Sequence, residues 1–102
     1  MTNDAMISPR FKPGDFVRVS ERNVHGHIRT PAYIMGKSGF ILRLHGKFRN
    51  PESTAYGGDG MPLMPLYLVQ FRQQTVWPNY IGTAADSISV DIFDHWLELA
   101  RA

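Results

Sequence analysis

Not one of the 102 residues is a cysteine, which excludes a disulfide framework, a thiolate metal site and a cysteine nucleophile. The chain also lacks any run of about eighteen apolar residues, so no membrane span is expected. Its opening, MTNDAMISPRF, has no basic lead followed by a long apolar stretch, and no secretory signal is expected either. The chain reads as cytoplasmic. Carboxylate pairs are missing as well: Asp86, Asp91 and Asp94 are spread over turns and caps, with no two set for general acid and base work. Four histidines are present, His25, His27, His45 and His95, but only the first two are close in sequence. Without a third ligand nearby, no metal site of the chain's own is expected.

Charge is scarce in the net and uneven in its distribution. Residues 1–50 hold nine of the eleven Lys and Arg against three acids, and residues 51–102 hold two against six. Such a split predicts a basic face and an acidic end. The length suits one domain with one modest core. The expected organisation is a flexible lead over residues 1–10 and a single domain over 11–102.

Phe11-Lys12-Pro13-Gly14-Asp15 is a turn by its chemistry, because Pro fixes one backbone angle and Gly permits the strained one beside it. A strand is expected over Phe16–Val19, with Val17 and Val19 on one face. A second follows the turn Gly36–Gly39, with Phe40, Leu42 and Leu44 pointing together. A third spans Leu66–Arg72. Thr75–Trp77 is expected as a short hairpin partner and Ser87–Val90 as the fifth strand, with Ile88 and Val90 inward. From Asp91 to Leu99 the spacing becomes helical, with Ile92, Phe93, Trp96 and Leu97 on one stripe and Asp91 as cap. Trp77, Phe93 and Trp96 read as core or interface aromatics, His45 as a turn residue and His95 as exposed. Five short strands with a terminal helical turn, punctuated by Gly and Pro, indicate an all-β chain: a small SH3-like antiparallel barrel.

Two stretches do not fit a minimal barrel. Ser20–Met35 and His45–Pro65 carry sixteen and twenty-one residues without periodicity, where compact domains use about four to six. Both are rich in apolar side chains, among them Tyr33, Met35, Tyr56, Met61 and Met64. Apolar side chains on loops need cover, and these five are the expected contacts with a protein partner.

Within the first loop, HGHIRTP gathers two histidines and an arginine next to a proline. One reading is a solvated surface loop. The other rests on Pro31, which stiffens the chain beside Arg29. A held guanidinium donates two parallel charge-assisted hydrogen bonds to a paired-oxygen anion, such as a phosphate, a carboxylate or an oxidised cysteine of another chain. His27 could support such a site or share its proton.

The succession FKPGDFVRV, GHIRTPAYIMGKSGFI, HGKFRNPESTAYGGDGMPLMPLYLVQF, VWPN and VDIFDHWLE resembles the C-terminal SH3-like barrel of the nitrile hydratase beta subunit. The likeness runs in order from Phe11 to Glu98. It departs at Ile28, where the family usually has Thr, and at Asn50-Pro51-Glu52, where it usually has Phe-Pro-Asp. The family's N-terminal helical half has no counterpart in the sequence, so the resemblance implies a free-standing small subunit of the kind found in thiocyanate hydrolase and the toyocamycin-type nitrile hydratases.

By that resemblance Arg29 matches the arginine that hydrogen-bonds oxidised cysteine ligands of a metal on the alpha subunit, and His27 a histidine that supports it. The metal, Co(III) or Fe(III), would sit in a CxxCSC-type claw of another chain. The implied activity is that of a lyase, hydration of a nitrile to an amide. The implied partners are the metal-binding alpha-type subunit, a separate N-terminal-half beta-type subunit and a nitrile in a shared pocket. The alternatives are a thiocyanate hydrolase subunit, an activator protein for such an enzyme, and an RNA-binding module resembling the KOW type. Activators tend to carry metal-handling tails, which the sequence lacks. The RNA-binding reading leaves the Met-rich second loop unexplained, and no nucleic-acid partner is expected.

Overall fold

The computed structural model describes residues 8–21, 30–49, 57–59, 61 and 63–100. Among them are five strands, β1 (Phe16–Val19), β2 (Ser38–Phe48), β3 (Met64–Arg72), β4 (Ser87–Phe93) and β5 (Leu97–Leu99). One short helix, α1 (Gln73–Val76), and two 3-10 turns, Ala32–Ile34 and Asp94–Trp96, complete the described elements. All strand pairs are antiparallel, in the order β4-β3-β2-β1-β5. The chain is all-β, and its last strand returns to pair with its first.

Alternation drives β1: Val17 and Val19 are fully buried, while Phe16 and Arg18 face outward. The turn before it is closed by Asp15, whose carboxylate accepts from the Lys12 backbone N–H at 3.0 Å and from Lys12 Nζ at 2.9 Å. These hydrogen bonds hold the Asp15 carboxyl below its ordinary pKa. Gly14, at φ +91°, gives its N–H to the Ile41 carbonyl and seats the turn on β2.

β2 departs from simple alternation. Register shifts lie between Ile41 and Arg43 and between Leu44 and Gly46. Phe40 therefore lies opposite Gln70 and Leu44 opposite Tyr67, on different faces of the sheet. The expectation that Phe40, Leu42 and Leu44 point together fails because the bulge at Leu42 inverts the parity. All three remain substantially exposed, and Ile41 is the strand's buried aliphatic. β2 also runs on to Phe48, so His45 is a strand residue; its Nε2 pairs with Asp91 Oδ1 at 2.8 Å.

Two further expectations are corrected. Thr75–Trp77 is not a strand: α1 turns the chain there, with the Trp77 N–H donating to the Gln73 carbonyl and Val76 inserted into the core. Asp91–Leu99 is not a continuous helix. β4 runs to Phe93 because Ile92 and Phe93 pair with Tyr67 and Leu66, and Leu97 pairs with Val19, leaving only one 3-10 turn between strands. The apolar stripe survives the change, since Ile92, Phe93, Trp96 and Leu97 are all buried. His95 is half-buried, its ring set against those of Phe93 and Trp96.

The core gathers Val17, Val19, Ile34, Ile41, Tyr67, Val69, Phe71, Ile92 and Trp96, each contributing about 1.5–3 kcal/mol when fully buried. Among the described residues, one charged group enters it. Asp94 is 2 % exposed, and its carboxylate accepts from Arg10 Nε at 2.6 Å, the Arg10 backbone N–H at 3.1 Å and the Tyr67 hydroxyl at 2.7 Å. Arg10 also donates to the Asp94 and Leu97 carbonyls, both at 2.7 Å. Arg10 thereby ties the chain ahead of the first turn to the second 3-10 turn. Burial and the bond to Asp94 push the Tyr67 hydroxyl up to about 12.

Candidate functional site

Arg29, His27 and Tyr56 lie outside the described residues. The frame that carries the segment 22–29 is well defined at both stems. The Ser20 N–H donates to the Trp96 carbonyl at 2.8 Å, Gly36 N–H to the Val19 carbonyl at 2.8 Å, and Val19 N–H to the Lys37 carbonyl at 2.9 Å. Gly36 sits at φ +78°, a conformation that glycine adopts without the steric cost of a side chain. The Glu21 carboxylate packs where a side chain at position 36 would stand.

The residue after Arg29, Thr30, is buried. Pro31 follows with φ −62° and ψ 140°, and then the first 3-10 turn buries Ile34 completely and leaves Tyr33 39 % exposed. The stretch from Thr30 to Lys37 is thus pinned by burial at two points and by the Lys37 N–H bond to the Ile34 carbonyl at 3.0 Å.

Tyr33 stacks on Trp77, with ring centroids 5.3 Å apart and planes 25° from parallel. Trp77 is 42 % exposed, and its indole N–H is satisfied by Gln73 Oε1 at 2.7 Å. Next along the chain, Asp86 accepts from the Tyr80 hydroxyl and from Thr83 Oγ1, bonds that hold its carboxyl below the ordinary range and raise Tyr80 above its own. They brace a loop whose Ile81 is almost wholly exposed.

The remaining expected partner contacts divide. Met61 is exposed, with its N–H bonded to Asp59 Oδ1. Met35 is half-buried against the core. Met64 is withdrawn from the surface: it is buried opposite Phe48, because β3 begins one turn of alternation earlier than its pattern suggests. Among the described residues no three His, Asp or Glu side chains converge as metal ligands, so they do not fit a resident metal. No helix among them is long and apolar enough to cross a membrane.

The outer face of the sheet holds a surface pocket of about 360 Å³ between Phe16, Phe40, Gln70, Arg72 and Thr75. Sequence reading misses this pocket and the Arg10–Asp94–Tyr67 cluster. A signal for the cluster exists: Asp94 is a lone charge inside the apolar stripe Ile92, Phe93, Trp96 and Leu97.

Residues 2–99 match the family model described as nitrile hydratase beta subunit, C-terminal. The nitrile hydratase subunit beta of Pseudomonas chlororaphis is 38 % identical over 95 residues, covering 90 % of this chain and 41 % of that protein. Thiocyanate hydrolase subunit alpha of Thiobacillus thioparus is 32 % identical over 92 residues, covering 89 % of this chain and 72 % of its own length. A solved structure of the recombinant apo-enzyme of that thiocyanate hydrolase superposes with a TM-score of 0.87 at 29 % identity, covering 94 % of this chain and 80 % of the other. The chain spans about two-fifths of the length of the nitrile hydratase beta subunits it matches. The order of elements and the near-complete match together mean that this chain belongs to the family defined by the C-terminal domain of the nitrile hydratase beta subunit.

Proposed function

We propose that this chain serves a nitrile hydratase as its beta-type barrel, an SH3-like one, and that it supplies Arg29 to a metal centre carried by an alpha-type subunit. The observation that carries this reading is the family match over residues 2–99, which includes position 29. The stems on either side of the segment 22–29 are compatible with it, being fixed by backbone hydrogen bonds and by the burial of Thr30 and Ile34.

In this reading the Arg29 guanidinium donates its paired N–H groups to the oxygens of oxidised cysteine ligands on the partner, and His27 supports it. An anion in a poorly hydrated pocket is costly without a partner, and losing one member of a buried charge pair costs roughly 3–5 kcal/mol. Arg29 is then a neutralising group for the centre and takes no proton in the hydration of nitrile to amide. This chain, having no cysteine, provides no thiolate ligand, and the cobalt or iron belongs to the CxxCSC-bearing chain. When bound there, the metal supplies Lewis-acid activation of nitrile or water. The assembly is completed by a separate chain equivalent to the N-terminal half of the beta subunit, and Tyr33, Met35, Tyr56 and Met61 face the partners.

The test is co-expression with the CxxCSC-bearing chain and measurement of amide formation. Arg29→Lys keeps the charge and loses the fork, and at least a tenfold fall in kcat/KM is expected. Unchanged turnover would remove the assigned role. A second reading, a thiocyanate hydrolase subunit, is favoured by the superposition on the thiocyanate hydrolase structure with a TM-score of 0.87. Supplying thiocyanate and a nitrile to the same assembly separates the two.

A further inference from the structure

We infer that the outer edge of β4 is a self-association surface, on which a second copy of this chain lays its own β4 antiparallel, with the two-fold axis at Ser89.

The hydrogen bonds of the sheet fix which groups lie on that edge. β3 and β4 pair without a register shift from Leu66↔Phe93 to Arg72↔Ser87. Just beyond the last pair, the Gln73 N–H donates to the Asp86 carbonyl at 2.9 Å. In an antiparallel ladder, residues that exchange hydrogen bonds alternate with residues that do not. Counted from Asp86, Ile88, Val90 and Ile92 therefore spend their N–H and C=O groups on β3, and Ser87, Ser89, Asp91 and Phe93 direct theirs away from it. β4 ends the order β4-β3-β2-β1-β5, and among the described residues no strand takes up those groups.

Two further observations mark this edge as open. The inward residues of the inner strands, Val17, Val19, Val69 and Phe71, are fully buried, whereas Ile88 and Val90, which pack on the same core, stay half-buried. The strand also lacks the usual protections of an exposed edge: SISVDIF contains no Pro, Lys or Arg and no bulge. Its one charged side chain, Asp91, reaches back across the sheet to His45 Nε2 on β2 at 2.8 Å and so leaves the edge unguarded.

The strand's own sequence suits a second copy. An antiparallel partner must set outward-directed groups opposite outward-directed groups. With the axis at Ser89, that residue faces its counterpart, Ser87 faces Asp91 of the other copy, and Ile88 faces Val90. Apolar then covers apolar, a hydroxyl meets a carboxylate, and about six backbone hydrogen bonds close the ladder. An axis at Asp91 would set two carboxylates directly opposite, which is destabilising. An axis at Val90 would draw in buried Phe93, beside the turn that Arg10 closes. A ladder this short buries less surface than a permanent dimer does, so the association is reversible and depends on concentration.

The experiment uses the full chain. Amide hydrogen exchange over a concentration series, alongside sedimentation equilibrium, separates the two sides of β4. The Val90 N–H should be protected throughout, and exchange at Ser89 and Asp91 should slow about tenfold once nine chains in ten are dimeric. Ser89→Cys introduces the chain's only thiol, at a pair whose Cα atoms stand about 5.5 Å apart and within disulfide reach. Mild oxidation should link its chains faster than those of Ala84→Cys, an exposed position off the strand. Ser89→Lys sets like charges opposite on an exposed side chain and should weaken dimerisation about fivefold. Ser89→Pro removes an N–H that β3 does not use, and should weaken it about tenfold or more because both copies lose a donor. Fast exchange at Ser89 and Asp91 at every concentration, equal cross-linking of the two thiols, or a dimer that Ser89→Lys leaves intact would each overturn the inference. If these edge groups gain protection only when a different chain is added, the occupant is that chain and the inference fails.

Discussion

Replacing Arg10 with methionine isolates its contribution to holding the buried Asp94 carboxylate. Asp94 is 2 % exposed and holds three donors, two of which, the Arg10 backbone N–H and the Tyr67 hydroxyl, survive the substitution. Removing a partner from a fully buried charge pair costs roughly 3–5 kcal/mol. Here the Arg10 side chain is 51 % exposed, so its pair with Asp94 is partly screened by water. The two carbonyls it also serves, Asp94 and Leu97, lose a donor but regain access to solvent. Together these considerations set the expected loss at about 2 kcal/mol, and the fall in Tm at roughly 10 °C for a domain of this size. Urea denaturation of the purified chain at neutral pH measures it. A double-mutant cycle with Asp94→Asn separates the pair from the packing of the stem, and a coupling of at least about 1 kcal/mol is expected. A coupling indistinguishable from zero would refute the assignment of Arg10 as the partner of the buried carboxylate.

Other consequences are equally direct. Tyr67 keeps its proton up to about 12 in the folded chain, so its contribution is complete below the unfolded value of about 10 and is lost as pH rises through 12; stability should fall across that window. Tyr67→Phe should remove that alkaline limb and cost about 1–3 kcal/mol at neutral pH, because the Phe11 N–H loses its acceptor and Asp94 loses a donor. Gly36→Ala should destabilise by about 1–2 kcal/mol through its positive φ, since the Glu21 side chain beside it is free to swing away. Gly39→Ala should cost more, because its side chain would meet the Gln70 backbone carbonyl, which moves only with β3 itself. Equal costs at the two glycines, in the same denaturation assay, would contradict that distinction.

The strand cores of β1 and β3 are legible in the sequence because each alternates, β1 after the Pro13-Gly14 turn and the core of β3 after Pro65. β2 is legible in position but not in facing, since a bulge leaves no mark in the pattern of apolar residues. The closing segment defeats a reading by periodicity for a physical reason. Ile92, Phe93, Trp96 and Leu97 satisfy a helical spacing, yet Ile92 and Phe93 on one side and Leu97 on the other are claimed by strand partners, and pairing across the sheet overrides local periodicity. At the site, Arg29 is proposed from its neighbours in the sequence and from the resemblance to the family, and lies outside the described residues. The Tyr33–Trp77 stack is not, because its members are forty-four positions apart and only α1, which the pattern does not announce, brings Trp77 round to Tyr33.

The stems at Val19–Ser20 and Gly36–Lys37, with Thr30 and Ile34 buried between them, confine the freedom to diverge to positions 22–29. Their hydrogen bonds run through backbone atoms to one another and to Trp96, so they do not depend on which side chains those positions carry. Selection can alter positions 22–29 while both stems keep these backbone bonds. A swap of residues 22–29 with those of a relative accordingly leaves the same stem hydrogen bonds available.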